Sequence, residues 1–242
     1  MHTVFVITVC RNAVAMIEDT IKSVLSQTYE NIRYMIIDGA STDGTVDIIK
    51  KYQDKLVYWM SEPDKGIYDA MNKGLSIARR LSEDEDYCWV NFMNAGDAFA
   101  DKSVLSDIFG GKQYDGFVIG CHANLIYPDH KEILYAHDPE VTLYQLPYCH
   151  QSSFVRLTIE NNQWLFDTKY KIAADYKVFY DVFDTYGSKA FHNIDRVVAN
   201  YKMDDSMTFN NLRKAKREYL SIQSAHKNFT WWKNYIKWLC HR

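Results

Sequence analysis

Three aspartates stand where an apolar run of this sequence gives way to small polar residues, and that placement makes them candidates for chemistry. Asp38 closes Ile36-Ile37-Asp38 and is followed by Gly39-Ala40-Ser41-Thr42-Asp43-Gly44-Thr45. Asp97 closes Phe92-Met93-Asn94-Ala95-Gly96-Asp97. Asp175 lies in Ile172-Ala173-Ala174-Asp175-Tyr176, where an amphipathic stretch begins. A carboxylate at the carboxyl end of a strand lies at the mouth of an open α/β sheet, where such sheets bind ligands. There it can accept from a base N–H or a ribose hydroxyl, ligate a hard cation or take a proton. Each also has a plainer use, Asp38 and Asp97 as turn residues and Asp175 as the cap or dipole partner of its helix. Asp43 is better placed to cap the helix starting near Thr45, which leaves Asp38 free. Asp97 is expected to be exposed to the crevice and to contribute little to the core.

Other polar residues are expected around the same crevice. Thr8, Arg11 and Asn12 end the first apolar run and would lie beside Asp38 across the sheet; the plainer reading is an ordinary β-α loop. In Ser61-Glu62-Pro63-Asp64-Lys65-Gly66-Ile67-Tyr68-Asp69-Ala70-Met71-Asn72-Lys73-Gly74, charged residues gather at a strand-to-helix junction. Asp64, Lys65 and Asn72 can reach a nucleotide there. Lys65 can oppose phosphate charge or be a solvated loop lysine. His150-Gln151 precedes the strand-like Ser152-Ser153-Phe154-Val155, and a lone histidine is usually a satisfied polar residue.

The elements that must position these residues follow from periodicity. Val4 to Val9, Tyr34 to Ile37, Val57 to Met60 and Tyr87 to Met93 read as short buried strands. Between them come helices with inner faces Ile17, Ile21, Val24 and Leu25, then Val46, Ile49 and Tyr52, then, over about Tyr68 to Arg80, Met71, Leu75 and Ala78. This β-α alternation predicts a parallel sheet with right-handed crossovers. Beyond Asp97 the rhythm changes. Tyr114 to Tyr127 and Lys131 to Ala136 read as antiparallel strands joined through Pro128-Asp129-His130. A helix is expected from Ala174 to Tyr186, strands near Ala190 to Ile194 and Arg196 to Lys202, and helix from Asn211 to Leu239. The expected organisation is one α/β domain over 1–210, with halves 1–100 and 101–210, and a helical tail over 211–242. The fingerprints Gly-x-Gly-x-x-Gly and Gly-x-x-x-x-Gly-Lys-Ser/Thr are absent.

Composition narrows the function classes. A net charge of −3 over 242 residues offers no basic face, which argues against a nucleic-acid partner. The 15% aromatic share, with 18 Tyr, suits either ring stacking or core packing. Five scattered cysteines without a Cys-x-x-Cys pair fit neither a zinc site nor a disulfide scaffold, so a reduced, cytoplasmic protein is expected. The opening Met-His-Thr-Val-Phe-Val-Ile-Thr-Val reads as a strand, not a signal peptide. No apolar run approaches the roughly 20 residues of a membrane-spanning helix. The stretch from Lys227 carries Lys233, Lys237, Arg242, Trp231, Trp232 and Trp238 and no acidic residue. Such a segment suits a membrane interface; the alternative is a helix docked on the domain or on a second subunit of a homo-oligomer.

The stretch from Ile36 to Thr45, with Glu62 to Gly74 and Phe92 to Asp97, resembles family 2 glycosyltransferases, the nucleotide-sugar-dependent enzymes that build bacterial polysaccharides. The second and Pro147-Tyr148-Cys149-His150-Gln151 are similar to the capsule and exopolysaccharide branch. The resemblance covers roughly residues 1–205 and implies the A-type glycosyltransferase fold: a Rossmann-like, mostly parallel sheet flanked by helices, with an antiparallel acceptor-side extension. It implies inverting transfer from a uridine or guanosine diphosphate sugar to a saccharide or lipid-linked oligosaccharide, at the inner face of the cell membrane. The donor-binding set it implies is Thr8, Arg11, Asn12, Asp38, Ser41, Asp64, Lys65, Asn72, Asn94 and Ala95. Asp97 matches the metal-binding carboxylate of the Asp-x-Asp motif, for Mn2+ or Mg2+, although Asn94 and Gly96 stand where many relatives carry Asp. Ala70-Met71-Asn72-Lys73-Gly74 likewise stands where many members have Ala-Arg-Asn-x-Gly. Asp175 matches the second residue of a Glu-Asp pair and so the base, with Asp167 as runner-up in a structural role. His150 and Gln151 fall on the active-site wall. Two other readings stand beside this one. A nucleotidyltransferase would want a glycine-rich basic loop where the chain has Cys10-Arg11-Asn12-Ala13-Val14. A non-catalytic nucleotide- or sugar-binding module would explain Asn94, Gly96 and Ala174, but not the retention of Asp38, Asp97 and Asp175 together.

Overall fold

The β-α alternation of the first hundred residues folds into four parallel strands, β1 (Val4–Cys10), β2 (Ile32–Asp38), β3 (Tyr58–Ser61) and β4 (Tyr87–Phe92). They are linked by helices α1 (Ile17–Leu25), α2 (Thr45–Lys51) and α3 (Ile67–Leu81). The computed structural model describes residues 1–158, 165–203 and 211–224. The remaining described elements are β5 (Ala98–Phe99), α4 (Val104–Phe109), β6 (Val118–Ile126), β7 (Lys131–Leu134), β8 (Ser153–Thr158), α5 (Ala174–Tyr186), β9 (Phe191–Lys202) and α6 (Leu212–Gln223).

Eight of these strands lie in one sheet in the order β3-β2-β1-β4-β8-β6-β9-β5, and β7 pairs with β6. β1 is parallel to both β2 and β4, so the chain leaves it in opposite directions along the sheet. The carboxyl ends of β1 and β4 therefore flank a topological switch point, the usual ligand crevice of such sheets. All seven residues of β1 are buried, because both faces are covered. Phe5, Ile7 and Val9 pack with α3 and α5 on one face; Val4, Val6 and Cys10 pack with α1 and α4 on the other. This is the expected Rossmann-like architecture, with β8 joined antiparallel to β4 and β6 antiparallel to β8 as the extension.

Two details differ from the sequence reading. The expected strands Ala190 to Ile194 and Arg196 to Lys202 are one strand, β9. It runs parallel to β6, and the pairing steps from Gly120–Asn193 to His122–Val197, so three residues of β9 oppose Cys121 alone. That bulge interrupts the alternation and reads in sequence as a break. The short β5 and α4 carried no separate signal. Within the expected helix 211–239, α6 occupies Leu212–Gln223; the basic, Trp-rich stretch from Lys227 lies outside the described residues.

Candidate active site

A cleft of about 380 Å³ opens at the carboxyl end of β4 and brings together residues from distant parts of the chain. Asn94, Ala95, Gly96 and Asp97 form one wall, His150, Gln151 and Asp175 a second, and Lys202 closes the end of β9. The first wall is a tight turn. Asp97 N donates to Asn94 O at 3.0 Å, and Gly96 has φ of 105°, the left-handed conformation a type II turn needs at its third position. Ala95 N donates to Val9 O at 3.2 Å, tying the turn to β1.

Asp97 is buried rather than exposed to the crevice, with 6% of its surface accessible. Gln151 Nε2 donates to its Oδ2 at 2.9 Å and Lys202 N to its Oδ1 at 3.3 Å. Burial dominates these contacts and pushes the carboxyl up to about 6. Asn94 Oδ1 and Gln151 Oε1 are buried without hydrogen-bond partners, an unusual state for amide oxygens. One carboxylate and two unpaired amide oxygens fit the oxygen-donor chemistry of Mg2+ or Mn2+, which completes its shell with phosphate and water. Among the described residues, no group of three or more His, Cys, Asp or Glu side chains forms a metal cage.

Asp175 lies in the first turn of α5 and is 9% exposed. Its Oδ1 accepts from Tyr176 N at 2.8 Å and lies 3.3 Å from Tyr68 Oη, whose proton goes to Ile172 O at 2.7 Å. Its Oδ2 faces His150 Nδ1 at 3.6 Å. Asn94 Nδ2 donates to His150 Nε2 at 2.9 Å, which leaves the ring proton on Nδ1, turned toward Asp175. Asn94 and Asp175 are thus linked across the cleft through one imidazole. Asn91 fixes the His150 segment from below, its Nδ2 donating to Gln151 O and Ser153 O. Asp167 pairs with Lys169 at 2.9 Å on the outside of this region and is not part of the cleft wall.

Three of the expected donor residues are engaged within the protein. Asp38 is not free: it is fully buried and both oxygens are occupied. Oδ1 accepts from Ser41 Oγ and Cys10 Sγ; Oδ2 accepts from Ser61 Oγ at 2.6 Å and Ser41 N at 2.9 Å. It ties the ends of β1, β2 and β3 together. Thr8 is fully buried, with its Oγ1 donating to Met93 O at 2.7 Å and bonded to Tyr34 Oη at 3.0 Å. Asn72 is turned away from the crevice; its Nδ2 donates to Phe166 O at 2.9 Å and its Oδ1 accepts from Phe166 N at 2.8 Å. Most of these partners come from distant parts of the chain, which the spacing along one segment does not reveal.

Other expected residues line the rim at the ends of β1 to β3. Arg11, Asn12 and Lys65 are exposed, and Ser41 and Asp64 are half-buried. Asn12 holds a left-handed φ of 51°, and its Oδ1 accepts from Thr42 N at 3.0 Å. Ser41 Oγ accepts from Asn12 N at 2.7 Å. A Cβ on Gly39 would lie 2.2 Å from Asp64 Oδ2 and 3.4 Å from Arg11 Cβ. Only glycine leaves room there for the Asp64 carboxylate. Ala40, at φ 58°, stores strain in that loop.

Sequence reasoning missed Tyr68 and Lys202. Tyr68 stands in the polar block 61–74, where its position one turn before Asn72 was the available signal. Lys202 had none, because only the pairing of β9 beside the Asp97 turn brings it near.

The cleft lies at the switch point of a Rossmann-like sheet, with one carboxylate on the β4 turn and a second on α5. Solved structures share the fold. S. aureus TarS 1–349 in complex with UDP-GlcNAc aligns with a TM-score of 0.66 at 14% identity, over 92% of this chain and 66% of that one. Mannosyltransferase PcManGT from Pyrobaculum calidifontis, in complex with GDP-Man and Mn2+, aligns at 0.61 and 14% identity, over 92% and 63%. The model of glycosyl transferase family 2 matches residues 5–182, and the chain belongs to that family. An uncharacterized glycosyltransferase of Mycobacterium tuberculosis (strain CDC 1551 / Oshkosh) is 37% identical over 105 residues, 43% of this chain and 37% of that protein. The UDP-Glc:alpha-D-GlcNAc-diphosphoundecaprenol beta-1,3-glucosyltransferase WfaP of Escherichia coli is 38% identical over 95 residues, 37% of this chain and 38% of that protein. Each match spans well under half of the relative's length. No described helix is long and apolar enough to cross a membrane.

Proposed function

We propose that this protein is an inverting, metal-dependent glycosyltransferase that moves a sugar from a UDP or GDP sugar to a saccharide or lipid-linked oligosaccharide in polysaccharide biosynthesis, of capsule or exopolysaccharide type. It acts in the cytoplasm, at the inner face of the membrane. The observation that carries this reading is the presence of Asp97 and Asp175 in one cleft at the switch point of the sheet. Residues 1–100 form the donor half and 101–210 the acceptor half. Arg11, Asn12, Ser41, Asp64 and Lys65 receive the nucleotide at the rim. Asp97, with the amide oxygens of Asn94 and Gln151, holds a divalent cation. When bound, that cation screens the diphosphate and stabilises the departing nucleoside diphosphate.

Asp175 is the general base. Its Oδ1 is engaged by Tyr176 N, so Oδ2 takes the proton. As the acceptor oxygen bonds to the anomeric carbon, its proton passes to Oδ2, the carbon–oxygen bond to the diphosphate breaks, and the nucleoside diphosphate leaves with that electron pair. His150, oriented by Asn94, turns its Nδ1–H toward that oxygen at 3.6 Å. The apolar remainder of the cleft, Leu125, Leu134, Leu146 and Ile172 among it, limits water around the reacting atoms.

A thermal-shift screen of UDP, GDP, UDP-glucose, UDP-N-acetylglucosamine and GDP-mannose, with and without Mn2+, tests the donor class. Stabilisation rises with ligand concentration over the dissociation constant. A metal-enhanced shift with one base supports the proposal; no shift with any of the nucleotides contradicts it.

A further inference from the structure

Helix α5 begins at Ala174, and the side chain of Asp175 accepts from its first-turn amide Tyr176 N at 2.8 Å. Its N-cap is Ala173, with no side-chain hydrogen bond, and Ile172 before it is apolar. Alanine is among the poorest N-cap residues, and free amides at a buried helix start are costly. The three amides that lead into the helix find their acceptor on α6. Glu218 Oε1 accepts from Lys171 N at 3.0 Å, and its Oε2 accepts from Ile172 N at 2.9 Å and Ala173 N at 3.0 Å. One carboxylate thus gathers three successive amides, close to the positive end of the helix dipole. On the opposite side of the same segment, Tyr68 Oη donates to Ile172 O at 2.7 Å. The next turn is fixed by α6 as well. Tyr219 packs on Tyr176 with ring centroids 4.5 Å apart, and Gln223 Nε2 donates to Tyr176 Oη at 3.0 Å. Asp175 lies between these two anchors.

We propose that Glu218 is a positioning residue for transfer: by clamping residues 171–173, which lead into α5, from α6, it sets the direction of the Asp175 carboxylate in the cleft. This rests on the reading of Asp175 as the base. Charge-assisted hydrogen bonds to backbone amides are among the stronger ones, and misplacing a reacting group by about 1 Å can cost about 10²-fold in rate. None of the donor-side residues touches Glu218, so the effect falls on turnover and not on nucleotide binding.

Two measurements on Glu218→Ala test the proposal, with Glu218→Gln, which keeps one accepting oxygen, in its place should the alanine variant not fold. Amide hydrogen exchange at 171–176 should speed up by about 10-fold or more, with β1 to β4 unchanged. Unchanged exchange at 171–176, or an equal rise throughout the chain, overturns the clamp. With the sugar nucleotide chosen by thermal shift, kcat should fall by about 10- to 100-fold while the donor KM stays within about twofold. A full kcat, or a donor KM that rises with it, overturns the positioning role. Asp175→Asn is measured alongside. If it keeps only residual transfer, adding Glu218→Ala to it should lower that remainder no further, because both changes remove one function; an additive loss refutes the link. If Asp175→Asn transfers at the normal rate, the base assignment fails, and the exchange result still judges the clamp.

Discussion

Asp97→Asn should make the metal-free protein more stable at neutral pH while removing its metal-linked nucleotide binding. The carboxyl is 6% exposed and titrates at about 6 instead of the ordinary 3.8, mainly because burial disfavours its charge. An ionised group so shifted costs the folded state about 3 kcal/mol, at about 1.4 kcal/mol per decade. Asparagine keeps an oxygen for one of the two donors. Gln151, whose Oε1 lacks a partner, can turn its amide to accept from the new NH2. Imperfect replacement of these bonds costs about 1 kcal/mol. The net gain is about 2 kcal/mol, or a Tm rise of about 4–8 °C for a chain of this size. The sign follows from the raised value. Below the unfolded pKa both states are protonated and there is no penalty. The penalty grows as pH rises between the two values and is complete above the folded one. At pH 4.5 about 1 kcal/mol of it remains, and the advantage of the variant should nearly vanish. Thermal unfolding in EDTA at pH 7.5 and pH 4.5 measures this. A variant less stable at pH 7.5, or one with the same difference at both pH values, would refute the reasoning.

Other expectations follow from the same contacts. Asp175→Asn should lower transfer by about 10² or more and leave nucleotide affinity within about twofold, since a general base supplies about that share of the rate; activity and binding assays on one preparation decide it. Asn72→Ala removes both bonds to the Phe166 backbone and should cost about 1–3 kcal/mol in urea unfolding; a neutral result would mean that the 165–166 segment is not held there. Gly120→Ala places a Cβ 2.1 Å from the Tyr148 ring, so it should lose about 1–3 kcal/mol through overpacking, read from the urea midpoint.

The nucleotide-side scaffold was legible because local signals and tertiary contacts agree there. Val4 to Val9 is apolar without a break because both faces of β1 are covered, and Met71, Leu75 and Ala78 recur at helical spacing because α3 covers one of them. α5 was legible for the same reason, and its observed span, Ala174–Tyr186, matches the expected one. β9 was split in two by a bulge that depends on its partner. Within the site, the motifs brought Asp97, Asn94, His150, Gln151 and Asp175 to one cleft, since each closes or opens an element. The burial of Asp97, the occupation of Asp38 by Ser41, Ser61 and Cys10, and the turning of Asn72 toward Phe166 all depend on partners from 23 to 105 residues away, except for Ser41. Spacing along one segment carries no record of such partners. The hold of Glu218 on the amides leading into α5, 45 residues beyond Ala173, is hidden in the same way.

The central claim is that Asp97 holds a divalent cation against the diphosphate of a sugar nucleotide at the switch point of the sheet. The most direct test is an anomalous-difference map from crystals grown with Mn2+ and the nucleoside diphosphate selected by thermal shift. The account predicts a manganese peak at coordination distance, about 2.2 Å, from an Asp97 oxygen. It also predicts the diphosphate between that peak and the rim formed by Arg11, Asp64 and Lys65. A nucleotide bound elsewhere, or one bound at this rim with no manganese at Asp97, would contradict it.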